Sequence, residues 1–219
     1  MEDLLRVPQK GDPLVPDPAP LERFGGPAAD AYAVGYRLAA EILAEHVRGR
    51  GEETFLFYPI VFLYRHHVEL MLKNLILAFD EPGVRAVTGA EAFRDEDRNS
   101  LQSGKKAHSL QALWDRLRPA VQGLGSQAVS AELIEGINYY IQQLNEIDPH
   151  SVSFRYPAGV AGTKEALGRG QKQGEATSLQ TFVEAMDRLA GILGGIDTYV
   201  SEINGNYYEM CADAQDSCY

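Results

Sequence analysis

The chain has 219 residues, enough for one sizeable domain or two small ones, and its 45% hydrophobic and 23% charged composition is typical of a globular protein. A net charge of −11 argues against a protein that coats nucleic acid, which needs an excess of Lys and Arg, although a local basic cleft stays compatible with it. The N-terminal residues lack the pattern of a secretory signal, and the longest apolar run, residues 54–64, is too short to span a bilayer. We therefore expect a cytoplasmic protein with no membrane partner.

Apolar periodicity predicts the elements in chain order. Four prolines lie between Asp12 and Leu21, so residues 1–27 are predicted to form an extended, Pro-rich arm. Residues 28–204 are predicted to form the helical bundle, followed by a polar tail, residues 205–219, that frays. Apolar residues at the 3.6-residue period predict five helices: 28–47; 53–79, with Pro59 marking a start or a kink; 108–121, limited by Pro119; 130–147; and a last helix capped by Thr177 or Ser178.

Two polar segments rich in turn-forming residues, 80–106 and 148–175, separate these helices. The first has room for one short helix. Loops of this length are uncommon in compact domains and are often functional, so we expect a site where they meet the central helix, 53–79. The sequence predicts an all-α fold, a single bundle of about five helices with two long loops.

The central helix carries charge within an apolar segment. Arg65, His66, Glu69 and Lys73 lie on one side of it, together with Phe62. The spacing of four residues from Arg65 to Glu69, and from Glu69 to Lys73, allows two ion pairs. Burying such charges without partners costs several kcal/mol each, so the fold must supply partners or a wet cleft. A plain ion-pair network near the surface and a ligand site are both compatible with this pattern.

Other chemistry has little support in the sequence. The possible metal ligands Glu69, His108, Asp148 and His150 do not form an HExxH or ExxH motif, so we expect no metal and no cofactor. The two cysteines, Cys211 and Cys218, lie near the end of the chain without a CxxC pattern, and their roles stay open. The sequence contains no GxSxG, Walker A or GxGxxG motif.

Two short motifs carry a resemblance to a known family. In "YRHHVELMLKNLI", Glu69, Leu70 and Lys73 match the pattern xELxLKxxL. In "KKAHSLQALWDRL", a pattern of the form GHxLxxLW is matched by His108, Leu110, Leu113 and Trp114, with Gly104 four residues before the histidine. Over about residues 32–200 the chain resembles the HEPN superfamily of helical domains. The resemblance implies an all-α bundle that is often dimeric. Many members are metal-independent ribonucleases of prokaryotic toxin, abortive-infection and CRISPR systems, and others are inactive binding modules.

The chain departs from the active members of that superfamily. They carry an arginine, four to six residues, and then a histidine near the start of a late helix, and no arginine here has a histidine at that spacing. RNA cleavage would therefore need residues from separate segments, one histidine as general acid or base and one arginine on the phosphate. The candidates are Arg65, His66, His108, His150 and Arg155. Arg155, between Phe154 and Tyr156, either stays on the surface or reaches inward to Glu69.

Three functions stay open from the sequence. The first is a HEPN-like binding or regulatory module in a defence or toxin–antitoxin context, with RNA or a nucleotide as ligand and a homodimer as its assembly. Its predicted binding residues are Arg65, His66, Glu69, Lys73, His108 and Arg155. The second is an atypical metal-independent ribonuclease using His66, His108, Arg65 and Arg155. The third is a structural subunit of a helical oligomer.

Overall fold

The computed structural model describes residues 28–49, 53–89, 107–148 and 178–216, and this part of the chain folds into six helices without a strand. The helices are α1 (Ala28–Val47), α2 (Glu53–Phe79), α3 (Pro82–Thr88), α4 (Leu110–Gly123), α5 (Ala131–Ile147) and α6 (Leu179–Asp216). The all-α prediction is confirmed, and α3 is the short helix expected within residues 80–106. The predicted Pro-rich arm, most of both long loops, and Cys218 lie outside the described residues.

Helix α2 is the centre of the bundle, as its apolar sequence predicts. It contacts α1, α3, α4 and α6, and its fully buried apolar residues form much of the core. Those residues are Ile60, Tyr64, Val68, Leu72, Leu75, Ile76 and Phe79. Pro59 lies inside α2 rather than at its start, and Pro119 lies inside α4, which continues to Gly123. No helix in the described ranges is at once long enough and apolar enough to cross a bilayer.

Serine residues cap three of the helices. The hydroxyls of Ser109, Ser130 and Ser178 accept hydrogen bonds from the backbone N–H of Ala112, Leu133 and Thr181 at 3.3, 3.3 and 3.1 Å. Each bond satisfies an amide that the first helical turn leaves without an intrahelical partner. The cap predicted at Ser178 is confirmed, and the cap at Ser109 fixes the chain direction directly after His108.

The prediction that the chain frays from residue 205 is wrong for residues 205–216, because α6 continues without a break to Asp216. The reason is a contact that the sequence does not show. Asn204 is buried, its Oδ1 accepts from the Val84 N–H at 3.0 Å, and its Nδ2 donates to the Ala78 carbonyl at 3.1 Å. Tyr208 donates to Glu81 at 2.6 Å one turn later. The junction of α2 and α3 therefore holds the helix where the polar sequence suggests an end.

Gly83 allows this close approach of α3 to α6. A Cβ added at Gly83 would lie 2.7 Å from Asn204 Oδ1, 2.8 Å from Tyr207 Cβ and 2.9 Å from Asn204 Cα. Two of those three atoms belong to the backbone or to its first side-chain carbon, which cannot swing away. A side chain at this position must therefore push the two helices apart.

We expect Gly83→Ala to lower the free energy of unfolding by about 1–3 kcal/mol, because overpacking displaces α3 from α6. The matched control is Gly191→Ala within α6, where an added Cβ meets nothing within 4 Å. That change should be neutral or stabilise the protein by about 0.5–1 kcal/mol, since alanine favours the helix. Urea unfolding of both variants measures the difference, and equal stabilities would contradict the close packing of α3 on α6.

Candidate functional site

Arg65 lies at the centre of a polar cluster inside the bundle. Its side chain is 0% exposed, and all three guanidinium nitrogens have partners. Nη1 donates to Glu69 Oε2 at 3.0 Å, Nη2 donates to the His108 carbonyl at 2.6 Å, and Nε donates to the Asp148 carbonyl at 3.2 Å. A planar guanidinium with its donors in a fixed fork suits this arrangement, which a lysine could not reproduce. Arg65 therefore joins α2 to the segment before α4 and to the end of α5.

The carboxylate of Glu69 is shared among three cationic or hydrogen-bonding groups. One oxygen, Oε2, accepts from Arg65. The other, Oε1, lies 2.8 Å from Lys73 Nζ and 2.8 Å from His108 Nδ1. The predicted pairing of Glu69 with Arg65 and with Lys73 is thus present. The contact with His108 reaches across 39 positions of the chain and could not be read from helical spacing.

Glu69 is ionised in this environment. Burial by itself would raise the pKa of the carboxyl, but hydrogen bonds from Lys73 and His108 and the charges of Lys73 and Arg65 lower it below its usual value. Its side chain is only 1% exposed, whereas Lys73 is 18% and His108 is 52% exposed. The cluster therefore runs from a buried ion pair outward to a cation and an imidazole at the surface.

His108 is the most accessible member of the cluster. Since the Glu69 carboxylate can only accept, the short contact assigns a proton to Nδ1. In the neutral ring the lone pair is then on Nε2, the nitrogen farther from Glu69. The ring is anchored further because Arg65 binds the carbonyl of the same residue and Ser109 begins the cap of α4. This arrangement offers a basic nitrogen of fixed orientation at the surface.

Asp148 is a member of the cluster that the sequence interpretation missed. The sequence suggests Asp148 only as a possible metal ligand, and the residue follows directly on the last residue of α5, Ile147. However, Asp148 is fully buried, and its Oδ2 lies 3.5 Å from Arg65 Nε in addition to the carbonyl contact. An Asp-Pro pair commonly follows a helix, so its sequence context gave no signal of burial. The two backbone carbonyls that bind Arg65 likewise leave no trace in the residue types.

The adjacent histidines of α2 have separate surroundings. His66 packs edge-on against Tyr36, with ring centroids 4.3 Å apart, and parallel to Phe62 at 5.8 Å. Burial lowers the pKa of His66, an effect that the nearby Glu69 charge opposes. His67 is buried and its Nδ1 lies 2.8 Å from the Ala33 carbonyl of α1. Burial also lowers the pKa of His67. His66 therefore borders the cluster, and His67 joins α2 to α1.

The structure brings together four of the six predicted binding residues, namely Arg65, Glu69, Lys73 and His108, with His66 beside them. Arg155 and His150 lie outside the described residues, so the predicted inward contact of Arg155 with Glu69 stays a prediction. Within the described ranges, no three His, Cys, Asp or Glu side chains are grouped as a metal site requires.

Comparisons with protein-family models, with curated proteins and with solved structures give no match to this chain. The fold and the site define the class of this protein: an all-α bundle in which a buried Arg–Glu pair holds a surface histidine.

We expect Glu69→Ala to lower the free energy of unfolding by roughly 2–4 kcal/mol, because it leaves Nη1 of the buried Arg65 without its carboxylate partner. Chemical denaturation of the wild type and the variant at neutral pH measures the loss.

The chain offers a matched control with the same residue types and spacing. Arg37 and Glu41 of α1 also form an i, i+4 pair, at 2.7 Å, but Glu41 is 35% exposed. Glu41→Ala should cost at most about 1 kcal/mol, as surface ion pairs usually do. Equal losses in the two variants would contradict a special role for burial at Glu69.

We also expect stability to fall as the pH is lowered from about 7 to 5. Below the ordinary histidine pKa of 6.5, the unfolded chain protonates positions 66 and 67 while the folded chain, with both pKa values lowered, does not. Proton uptake then favours unfolding. The Glu69 contribution has the same sign, but it is lost at lower pH, below the ordinary glutamate value of 4.5.

His67→Asn tests the histidine part of this dependence, because the amide can still donate to the Ala33 carbonyl but does not titrate. Urea unfolding at several pH values should give a smaller loss of stability on acidification in the variant than in the wild type. An identical pH dependence would show that His67 does not contribute to it.

Proposed function

We propose that this chain is a HEPN-like helical binding or regulatory module that contacts an anionic ligand through Lys73 and His108. The observation that supports the proposal is that two members of the cluster are buried while two others reach the surface. Arg65 is buried and binds Glu69 and two backbone carbonyls. The buried Glu69 in turn binds Lys73 and His108, which reach the surface. The buried pair holds Lys73 and His108 in place, and these two surface groups are available to bind a ligand.

An anionic ligand fits these two groups best. The ammonium of Lys73 has three donors, and Glu69 accepts from one of them. The Nε2 of His108 becomes a second donor when the ring is protonated. The net charge of −11 disfavours a long polyanion, so a compact ligand such as a nucleotide is favoured over extended RNA. A role in prokaryotic defence or in a toxin–antitoxin pair follows from the resemblance to the HEPN superfamily.

The proposal predicts that a nucleoside monophosphate added to the protein shifts the NMR signals of the Lys73 and His108 side chains. Lys73→Met, which keeps the aliphatic stem, and His108→Gln should each weaken the binding about tenfold or more, in line with the loss of a charge-assisted hydrogen bond. His46→Gln, at an exposed histidine in the last turn of α1, is the control and should leave binding unchanged. Signals that move elsewhere, or not at all up to millimolar ligand, would refute the proposal.

An atypical metal-independent ribonuclease is the second candidate function. It is favoured by the 2.8 Å contact between His108 Nδ1 and a buried carboxylate, which is how a general base is oriented. It is disfavoured because the guanidinium of Arg65 is enclosed and cannot reach a scissile phosphate. With mixed RNA and EDTA we therefore expect weak or no cleavage. Cleavage that His66→Ala or His108→Ala abolishes would establish this alternative.

A homodimer or larger helical oligomer is the third possibility, and α1 is the helix whose surface would form the contact between subunits. Tyr32, Leu38 and Ile42 expose large apolar side chains on that helix. Such residues are common at contacts between subunits, but single exposed apolar side chains are also ordinary on monomers. The assembly therefore stays a prediction that follows from the resemblance.

A further inference from the structure

We propose that Nε2 of His108 is a phosphoryl-accepting nucleophile, so that this residue is a site of phosphorylation. The inference uses the same site as the proposed binding function but adds a covalent step that binding does not require. It is carried by the orientation of the imidazole, by the charge beside it, and by the environment of the two histidines of α2.

The orientation leaves one ring nitrogen available. The Nδ1–H is bound to Glu69 at 2.8 Å, so Nε2 carries the lone pair while the ring itself is half-exposed. A histidine free to rotate would share its proton between the two nitrogens and present either one. Here the carboxylate selects the tautomer, and the backbone contact from Arg65 holds the residue that bears the ring. Nε2 is therefore the ring nitrogen that can act as the nucleophile.

The neighbouring charge favours attack by that nitrogen. When Nε2 forms a bond to phosphorus, the ring retains its Nδ1 proton and becomes cationic. The ionised Glu69 carboxylate accepts a hydrogen bond from that proton and stabilises the positive charge of the ring. A carboxylate has the same role beside a catalytic imidazole. Lys73, bound to the same carboxylate oxygen, supplies an ammonium near the incoming anionic group.

The two histidines of the central helix, His66 and His67, lack these properties. His67 is buried, with Nδ1 against the Ala33 carbonyl. His66 is partly buried between the rings of Tyr36 and Phe62 and has no hydrogen bond to Glu69 among the described contacts. Neither combines an accessible Nε2 with a carboxylate on Nδ1. We therefore expect His108 to react before His66 and His67.

The step balances with a donor of the acyl phosphate or phosphoramidate class. The Nε2 lone pair attacks phosphorus, and the bond from phosphorus to the leaving group breaks. The leaving group departs with that electron pair, as a carboxylate from an acyl phosphate or as ammonia from protonated phosphoramidate. The Nδ1 proton remains on the ring, hydrogen-bonded to Glu69. No electron transfer and no further reactant is needed.

In the test, the folded chain of 219 residues is treated with phosphoramidate, and incorporation of one phosphoryl group is followed by intact-mass spectrometry. We expect His108 to be modified first, and 31P NMR to identify the Nε2 isomer rather than the Nδ1 isomer. His108→Gln should abolish the fast modification. Equal or faster modification of another histidine in the wild type, or formation of the Nδ1 isomer at His108, would overturn the proposal.

Two further variants separate the role of the carboxylate from simple exposure. Glu69→Gln removes the negative charge that stabilises the cationic ring, and it should therefore slow modification at least about tenfold. Lys73→Met, at a partly exposed side chain, keeps the Glu69–His108 contact and should slow the reaction while preserving the Nε2 isomer. Circular dichroism confirms that each variant is folded. An unchanged rate in both variants would refute assistance by the cluster and with it the proposal.

The outcomes are distinct from those of the binding experiment. Nucleotide binding is read at equilibrium from NMR shifts, whereas phosphorylation is read from mass and from the isomer formed. Binding without modification at His108 would refute this inference and leave the proposed function intact. Modification of His108 without nucleotide binding would support this inference and refute the proposed function.

Discussion

The described site depends on one constraint: a guanidinium enclosed in an apolar bundle needs a hydrogen-bond partner at each of its three nitrogens. Removing the Arg65 charge from water is costly, and only partners with good geometry offset that cost. The partners come from one carboxylate on the same helix and from two backbone carbonyls on other segments. His108, two residues before α4, and Asp148, directly after α5, are therefore fixed to α2 at a single point. Asp148 is the first residue of the segment 148–175, and His108 lies two residues after the segment 80–106.

From this point charges alternate outward to the surface. Asp148 and Glu69 flank the buried Arg65, and Glu69 in turn binds Lys73 and His108. Each charge is next to one of opposite sign, which is why the ionised Glu69 is stable in spite of its burial. The consequence is an imidazole whose position and tautomer are set by the core. Both the binding proposal and the nucleophile proposal draw on that preorganisation, because a group held in place loses less entropy when it engages a ligand.

The end of the bundle illustrates the same principle with uncharged groups. Asn204 satisfies a backbone amide and a backbone carbonyl where α2 turns into α3, and Gly83 leaves the space for it. Polar and glycine residues at 204–206 favour a helix end in isolation, since asparagine and glycine are weak helix formers. Tertiary contacts outweighed that preference, and α6 extends to Asp216.

The sequence by itself determined the helices and half of the site. Periodicity placed α1, α2 and α5 nearly to the residue, and the i, i+4 spacing predicted the contacts of Glu69 with Arg65 and Lys73. Both signals are local, because helix faces and neighbouring turns follow from the backbone repeat. Only the tertiary structure decided that His108 binds Glu69, that Asp148 is buried, and that two carbonyls hold Arg65. Those contacts join residues 39 to 83 positions apart, and backbone carbonyls are the same in every residue, so no local pattern can encode them.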